Sequence, residues 1–242
     1  CLLALMLATA TTALAEQRPT LVVNIVVGSM RANDLDRYSH NFTEQGIRRL
    51  IESGVRYEEA YYNFSALSTA SGLATLATGA NPSVHGIIGS RWYSPTDAKP
   101  ISLIADSKAF PVEFSTGAGN YSPHRLTAPS YGDTLLSDCH ESKQYTIAVE
   151  ALSAIVLNGR RGVALWAEKN QTFWTTSSAY CDKLPEWIVA YNKSDANSKQ
   201  SINRWTPIYK AETYRNSEVA VVEGIKDKPT HLITDLNLDL DN

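Results

Sequence analysis

Cysteine is scarce in this chain, with three in 242 residues, no Cys-x-x-Cys pair and no zinc-finger spacing to histidine. That excludes a structural zinc site and a disulfide-dense scaffold. Charge of one sign is lacking too: 22 Lys and Arg stand against 25 Asp and Glu, for a net charge of -3, with no long basic run. No nucleic-acid partner and no anionic membrane surface is therefore expected. After residue 15 no apolar run is long enough to span a bilayer, and no internal repeat is present. What remains, with 43% apolar residues, is enough for one substantial core, either a domain or part of a larger one.

The opening Cys1 to Ala15, CLLALMLATATTALA, carries no charge and ends in Ala13-Leu14-Ala15 just before Glu16. This is the apolar region and cleavage site of a secretory signal peptide, predicting cleavage after Ala15 and a periplasmic or extracellular mature protein. A membrane anchor is the competing reading, for which fifteen residues are short. Cys1 leaves with the leader, so Cys139 and Cys181 are the pair that could form a disulfide; buried free thiols are the alternative. Residues 16–242 are then read as one domain. The absence of an initiator Met predicts a start slightly upstream, and the last strand pattern predicts continuation beyond Asn242.

Within that domain Leu21–Val27 is a nearly continuous β-branched run stopped by Gly28, which suits a strand buried on both faces. A helix capped by Asn41 or Thr43 should follow through Ser53, with Gly54 as its stop, and then a strand over Val55–Tyr62. Thr69–Thr78 is small, helix-compatible and ends at Gly79. Residues 94–130 lack lasting periodicity and read as an irregular insertion across the surface, with room for a hairpin. Order resumes with a helix near 133–138, a strand at 145–149, a helix or turn at 152–157, strands at 163–166 and 173–176, and a helix at 185–191. Leu236, Leu238 and Leu240 alternate with acidic and amide residues, the pattern of a half-buried strand. Alternating strands and helices predict an α/β fold: a layered sheet containing Leu21–Val27, with helices on both faces.

Thr69 begins its helix, where free N–H groups and the macrodipole favour an anion. A hydroxyl nucleophile there could attack a phosphate held by those donors, given a metal or base to activate it. On this evidence alone an ordinary capping role is the competing reading. His85-Gly86 follows at a turn and reads as structural. Trp166, Trp174 and Trp187 read as core or rim.

Taken together, Val26-Val27-Gly28-Ser29-Met30-Arg31, Ser68-Thr69-Ala70-Ser71-Gly72, Thr78-Gly79, Asn81-Pro82, Val84-His85-Gly86-Ile87-Ile88-Gly89-Ser90 and Trp92-Tyr93 resemble the type I phosphodiesterase/nucleotide pyrophosphatase branch of the alkaline phosphatase superfamily. Phe173-Trp174-Thr175-Thr176-Ser177 and Leu184-Pro185-Glu186-Trp187-Ile188 extend the similarity, which covers about residues 19–192 and is nearest to exported bacterial alkaline phosphatases with a threonine nucleophile. The resemblance implies an alkaline-phosphatase-like fold, here incomplete at the C-terminus. It also implies a two-zinc site, a phospho-threonine intermediate and Thr69 at the nucleophile position. Its zinc-binding carboxylate falls on Gly28, which has no side chain to ligate with. Its proline after the nucleophile falls on Ser71 and its phosphate-binding Asn on Ser90. Its Lys and Arg phosphate contacts fall on Glu150 and Leu152. The letter pairs Asp36/His40 and Asp227/His231 match its Asp-x-x-x-His spacing but are poorly placed, and Asp241 is the better-placed start of such a pair.

Two functions compete. In one the protein is a catalytically degenerate family member that binds a ligand or partner of unknown identity and holds no metal. In the other it is a metal-dependent phosphomonoesterase or phosphodiesterase with two zinc ions, its remaining ligands elsewhere and Ser29 or a neighbour replacing the carboxylate. An unrelated α/β adhesin or envelope module, with Thr69 as a mere cap, is the distant third.

Overall fold

The computed structural model describes residues 19–28, 30–65, 67–96, 98–113, 119–167 and 173–194. It divides into two units, at Tyr61 and Tyr62. In the first, Asp34–Arg37 (α1) and Ile47–Ser53 (α2) are short helices separated by a 3-10 turn at Ser39–Asn41. Arg56 grips the Asp36 carboxylate at 2.8 and 2.9 Å, and this hydrogen bonding holds the carboxyl below its ordinary pKa. The expected helix start at Asn41 or Thr43 is corrected to Ile47: Asn41 ends the 3-10 turn, and no side chain caps α2.

Neither strand expected in this unit forms. Leu21–Val27 is non-helical but joins no ladder, Leu21 and Ile25 each being 76% exposed, and no strand is present over Val55–Tyr62. β-branched composition makes a segment suitable for a sheet without supplying one, because a strand is stabilised by cross-strand neighbours and burial. Among the described residues neither segment belongs to a sheet.

The second unit holds the core. Thr69–Thr78 (α3) and Pro82–His85 (α4) precede a hairpin of Arg91–Ser94 (β1) and Lys99–Ser102 (β2), paired antiparallel. Tyr131–Asp138 (α5) leads to Tyr145–Ala148 (β3), Ala151–Asn158 (α6), Val163–Ala167 (β4), Trp174–Thr175 (β5) and Glu186–Asn192 (α7). The sheet order is β3-β4-β5, β3 and β4 parallel and β4 and β5 antiparallel. A parallel pair needs a crossover, and α6 supplies it.

Residues of β4 alternate between two clusters. Ala164 and Trp166 meet Ala70 and Ala74 of α3 and Ala154 and Ile155 of α6, whereas Leu165 meets Ile188 of α7, Leu184 and Val112. Since successive strand residues face opposite sides, helices cover both faces of the sheet, as the α/β reading predicted. The sequence expectation for residues 94–130 needs correction. The hairpin is there, but the stretch is no surface excursion, since Leu103, Ile104, Ala109, Val112, Leu126 and Ala128 are buried. Segment 110–113 runs beside β5: Val112 N–H donates to Thr176 O, Ser178 N–H to Phe110 O, and Thr175 Oγ1 to Glu113 O. Periodicity cannot reveal such a segment, because its pairing is with a strand more than sixty residues away.

The expected strand at Leu236–Leu240 and the residues Asp227, His231 and Asp241 lie outside the described residues.

Candidate functional site

Thr69 is the first residue of α3. Ser68 before it takes an extended conformation (φ -135°, ψ 163°), its hydroxyl accepts the Ser71 N–H, and the Ser71 hydroxyl accepts the Ser68 N–H in return. This reciprocal cap closes two free donors of the helix start and leaves the N–H groups of Thr69 and Ala70 with no carbonyl one turn back. Thr69 itself is exposed and Ala70 is buried. Gly79 ends the helix at φ 65°, a left-handed conformation glycine adopts without penalty. Behind the first turn, Tyr62 donates its hydroxyl to Gly72 O at 3.3 Å and sets its ring edgewise on Phe64.

Ser71, where the resemblance expects proline, is therefore a cap that a proline nitrogen could not complete. Small buried residues Ala70, Ser71, Ala74 and Ala77 let α3 pack closely on α6. His85 is fully buried with both ring nitrogens engaged: Nδ1 accepts the Ile87 N–H and Nε2 lies 3.1 Å from Thr75 Oγ1. Burial lowers its pKa. The structural reading of His85 agrees with this geometry.

The other singled-out residues are less converged. Ser90 is exposed, and its carbonyl accepts from Leu103 N–H. Glu150 is exposed just before α6, with no side-chain capping bond, while Leu152 packs against the main core cluster. Gly28 falls in the first unit, with open space where a Cβ would stand. Ser29 lies outside the described residues.

The family model for type I phosphodiesterase / nucleotide pyrophosphatase matches residues 22–232. The chain belongs to this family. It is 30% identical over 230 residues to alkaline phosphatase PafA of Elizabethkingia meningoseptica, covering 92% of the chain and 42% of that relative. It is 28% identical over 202 residues to alkaline phosphatase PhoV of Synechococcus elongatus, covering 83% and 37%. The crystal structure of wild-type PafA aligns with a TM-score of 0.78 at 27% identity, over 84% of the chain and 40% of PafA. The chain thus spans about two-fifths of the length of these relatives. An unrelated adhesin or assembly module is set aside by these matches.

The donors among the described residues of this type I phosphodiesterase family member do not fit a zinc pair. Among the described residues no group of three or more His, Cys, Asp or Glu converges. Gly28 offers no ligand, His85 has no free ring nitrogen, and Asp36 of the Asp36/His40 pair is spent on Arg56. Cys139 and Cys181 are free thiols, the second of the two alternatives, although each is only partly buried: Cys139 ends α5, and Cys181 lies in the turn after Ser177, where burial raises its pKa.

The sequence reading missed one polar cluster. Ser122 donates to Asp106 at 2.5 Å, and His124 Nδ1 lies 3.0 Å from the same hydroxyl. Because the Ser122 proton goes to the carboxylate, Nδ1 of His124 is the donor to Ser122. The Ser122 bond, and then the Lys108 amide, hold the Asp106 carboxyl below its ordinary pKa. Ser122 is only 4% exposed, so the trio fastens residues 106 and 122–124 together and presents no nucleophile. Its only sequence signal was a set of polar residues in an apparently irregular stretch.

Proposed function

We propose that this protein is an exported, catalytically degenerate member of the type I phosphodiesterase/nucleotide pyrophosphatase family that keeps the threonine turn and binds a ligand or partner there without hydrolysing phosphate esters. The observation that carries the reading is Gly28, a residue with no side chain where a zinc-binding carboxylate is expected. Leu152 supports it, being an apolar side chain packed against the core where a phosphate-contacting arginine is expected. A variant PafA structure has substitutions at a threonine and an asparagine 21 positions apart and at a lysine and an arginine two apart. Thr69 and Ser90 stand 21 apart here, and Glu150 and Leu152 two apart, which supports the placement of all four positions. With no activating metal the Thr69 hydroxyl stays protonated near neutral pH and is a weak nucleophile.

A second reading is favoured by the exposed Thr69 at a well-formed helix start and by the chain's two-fifths share of its relatives' length. It is a metal-dependent phosphomonoesterase or phosphodiesterase that forms a phospho-threonine at Thr69, with ligands from outside the described residues. Metal analysis of the purified full-length protein, with hydrolysis assays on generic mono- and diesters, separates the two. Substoichiometric zinc and no turnover above a Thr69→Ala control are expected. Stoichiometric zinc with turnover abolished in Thr69→Ala would establish the second reading. Export is checked by amino-terminal sequencing of the protein from an envelope or culture fraction, which should begin at Glu16.

A further inference from the structure

His85 is the one wholly buried histidine among the described residues. Its Nδ1 accepts the Ile87 N–H at 3.1 Å, so that nitrogen carries no proton and Nε2 holds the single ring hydrogen, donated to Thr75 Oγ1. The tautomer follows from the geometry. Thr75 lies on α3, whose first residue is Thr69, and Ile87 opens the turn that leads to Ser90. We infer that His85 is an acid-sensitive latch: the neutral ring ties the helix carrying Thr69 to the turn carrying Ser90, and protonation of Nδ1 releases it. The assignment of Thr69 and Ser90 to one ligand site rests on the family reading above, whereas the latch itself does not.

Protonation would set one N–H against another and place a charge where nothing balances it. Among the described residues the packed surroundings bring no counter-charge. Helices α3 and α4 contain no other titratable side chain. Thr127 donates its N–H to the His85 carbonyl, but the neighbouring Arg125 guanidinium is turned to the Ser102 carbonyl and the Trp92 ring. Asp133 of α5, the helix that also touches α3, is spent on the N–H groups of Ser130, Arg160 and Arg161. Burial is accordingly the leading cause of the lowered His85 pKa.

The sign is fixed by that direction. Above the ordinary histidine pKa of about 6.5 neither the closed nor the opened state takes the proton, and the latch is closed. As pH falls below it, the opened state binds a proton that the closed state refuses, so the opening constant rises by up to about tenfold per pH unit.

The test is amide exchange on the intact protein between about pH 7.5 and pH 5, expressed as protection factors so that the intrinsic pH dependence cancels. Ile87 should lose protection below about pH 6.5, by up to about tenfold per unit, while Leu165 in β4 holds its own. Imidazole nitrogen shifts should show a bare Nδ1 and a protonated Nε2. In His85→Gln, which cannot titrate, the Ile87 profile should be flat. Unchanged Ile87 protection, a parallel loss at Leu165, or a proton on Nδ1 at neutral pH would each overturn the latch. Should His85→Gln fail to fold, the nitrogen shifts and the pH series on the unsubstituted chain decide the question.

Discussion

Asp133 shows how much a single side chain can organise here. It is 5% exposed, and its carboxylate accepts backbone N–H groups from Ser130, Arg160 and Arg161, tying the start of α5 to the turn between α6 and β4. Hydrogen bonds to a charged acceptor contribute about 1.5–3 kcal/mol each, and removing the acceptor leaves buried donors unpaired. Asp133→Ala should therefore cost at least about 3 kcal/mol in denaturant unfolding, with normal near-neutral solubility if the fold survives. Asp106 allows a test by titration. Its folded-state pKa is depressed, first by the Ser122 hydroxyl, so its contribution is present above the unfolded value and is lost as pH falls through the folded one. In Ser122→Ala the Asp106 carboxyl should titrate at higher pH, read from its carboxyl carbon shift, and the acid-side loss of stability from this group should be smaller and complete at a higher pH. At Gly28 there is room for a side chain, so Gly28→Asp should fold; the proposed degeneracy predicts that it gains no zinc, because no further ligands converge among the described residues, and no turnover, because the Ser90 and Leu152 positions remain unchanged.

Among the elements, α3 is the one on which the candidate site depends, and its reciprocal cap gives a direct check. Ser68→Ala removes the acceptor for Ser71 N–H and should cost about 1 kcal/mol, measured by thermal or chemical unfolding. Leu165→Ala tests the sheet: the side chain is fully buried between β4 and α7, and its loss should cost about 2–5 kcal/mol. Elements governed by local signals were legible in the sequence. The bounds of α3 follow from Ser68 and Gly79, and β3, α6, β4 and α7 fall within a residue or two of their expected places because their apolar periods are short-range properties. What depended on distant partners was not. Leu21–Val27 has the composition of a central strand but joins no ladder among the described residues, and residues 103–112 and 126–128 enter the core through contacts no local period encodes. The site divided in the same way. Thr69 was recognisable from its helix start and family spacing, whereas the engagement of both His85 nitrogens and the Asp106–Ser122–His124 trio needed coordinates, since each joins residues through side-chain direction.

At the scale of the whole molecule, the family match over residues 22–232 and the two-helix-layer sheet agree on an α/β fold. The segment beside β5 bears on how that scaffold is made. Phe110 pairs with Ser178 across 68 positions, Glu113 O accepts from Thr175 across 62, and the Glu113 carboxylate from Leu184 N–H across 71. Contacts of such separation are formed late and slowly, because the loop must be closed before they contribute anything. During synthesis at about 5–20 residues per second, residues 110–113 wait roughly 3–14 s for their partners to be made. Throughout that interval Val112 lacks its final cover, so a nascent chain halted before Thr175 should stay protease-sensitive over 103–128, and one extended past Leu184 should become resistant. A chain that cannot close its sheet early remains a thread for seconds, the state in which a polypeptide can be handed to a translocation channel or captured by a chaperone before its tertiary structure commits it.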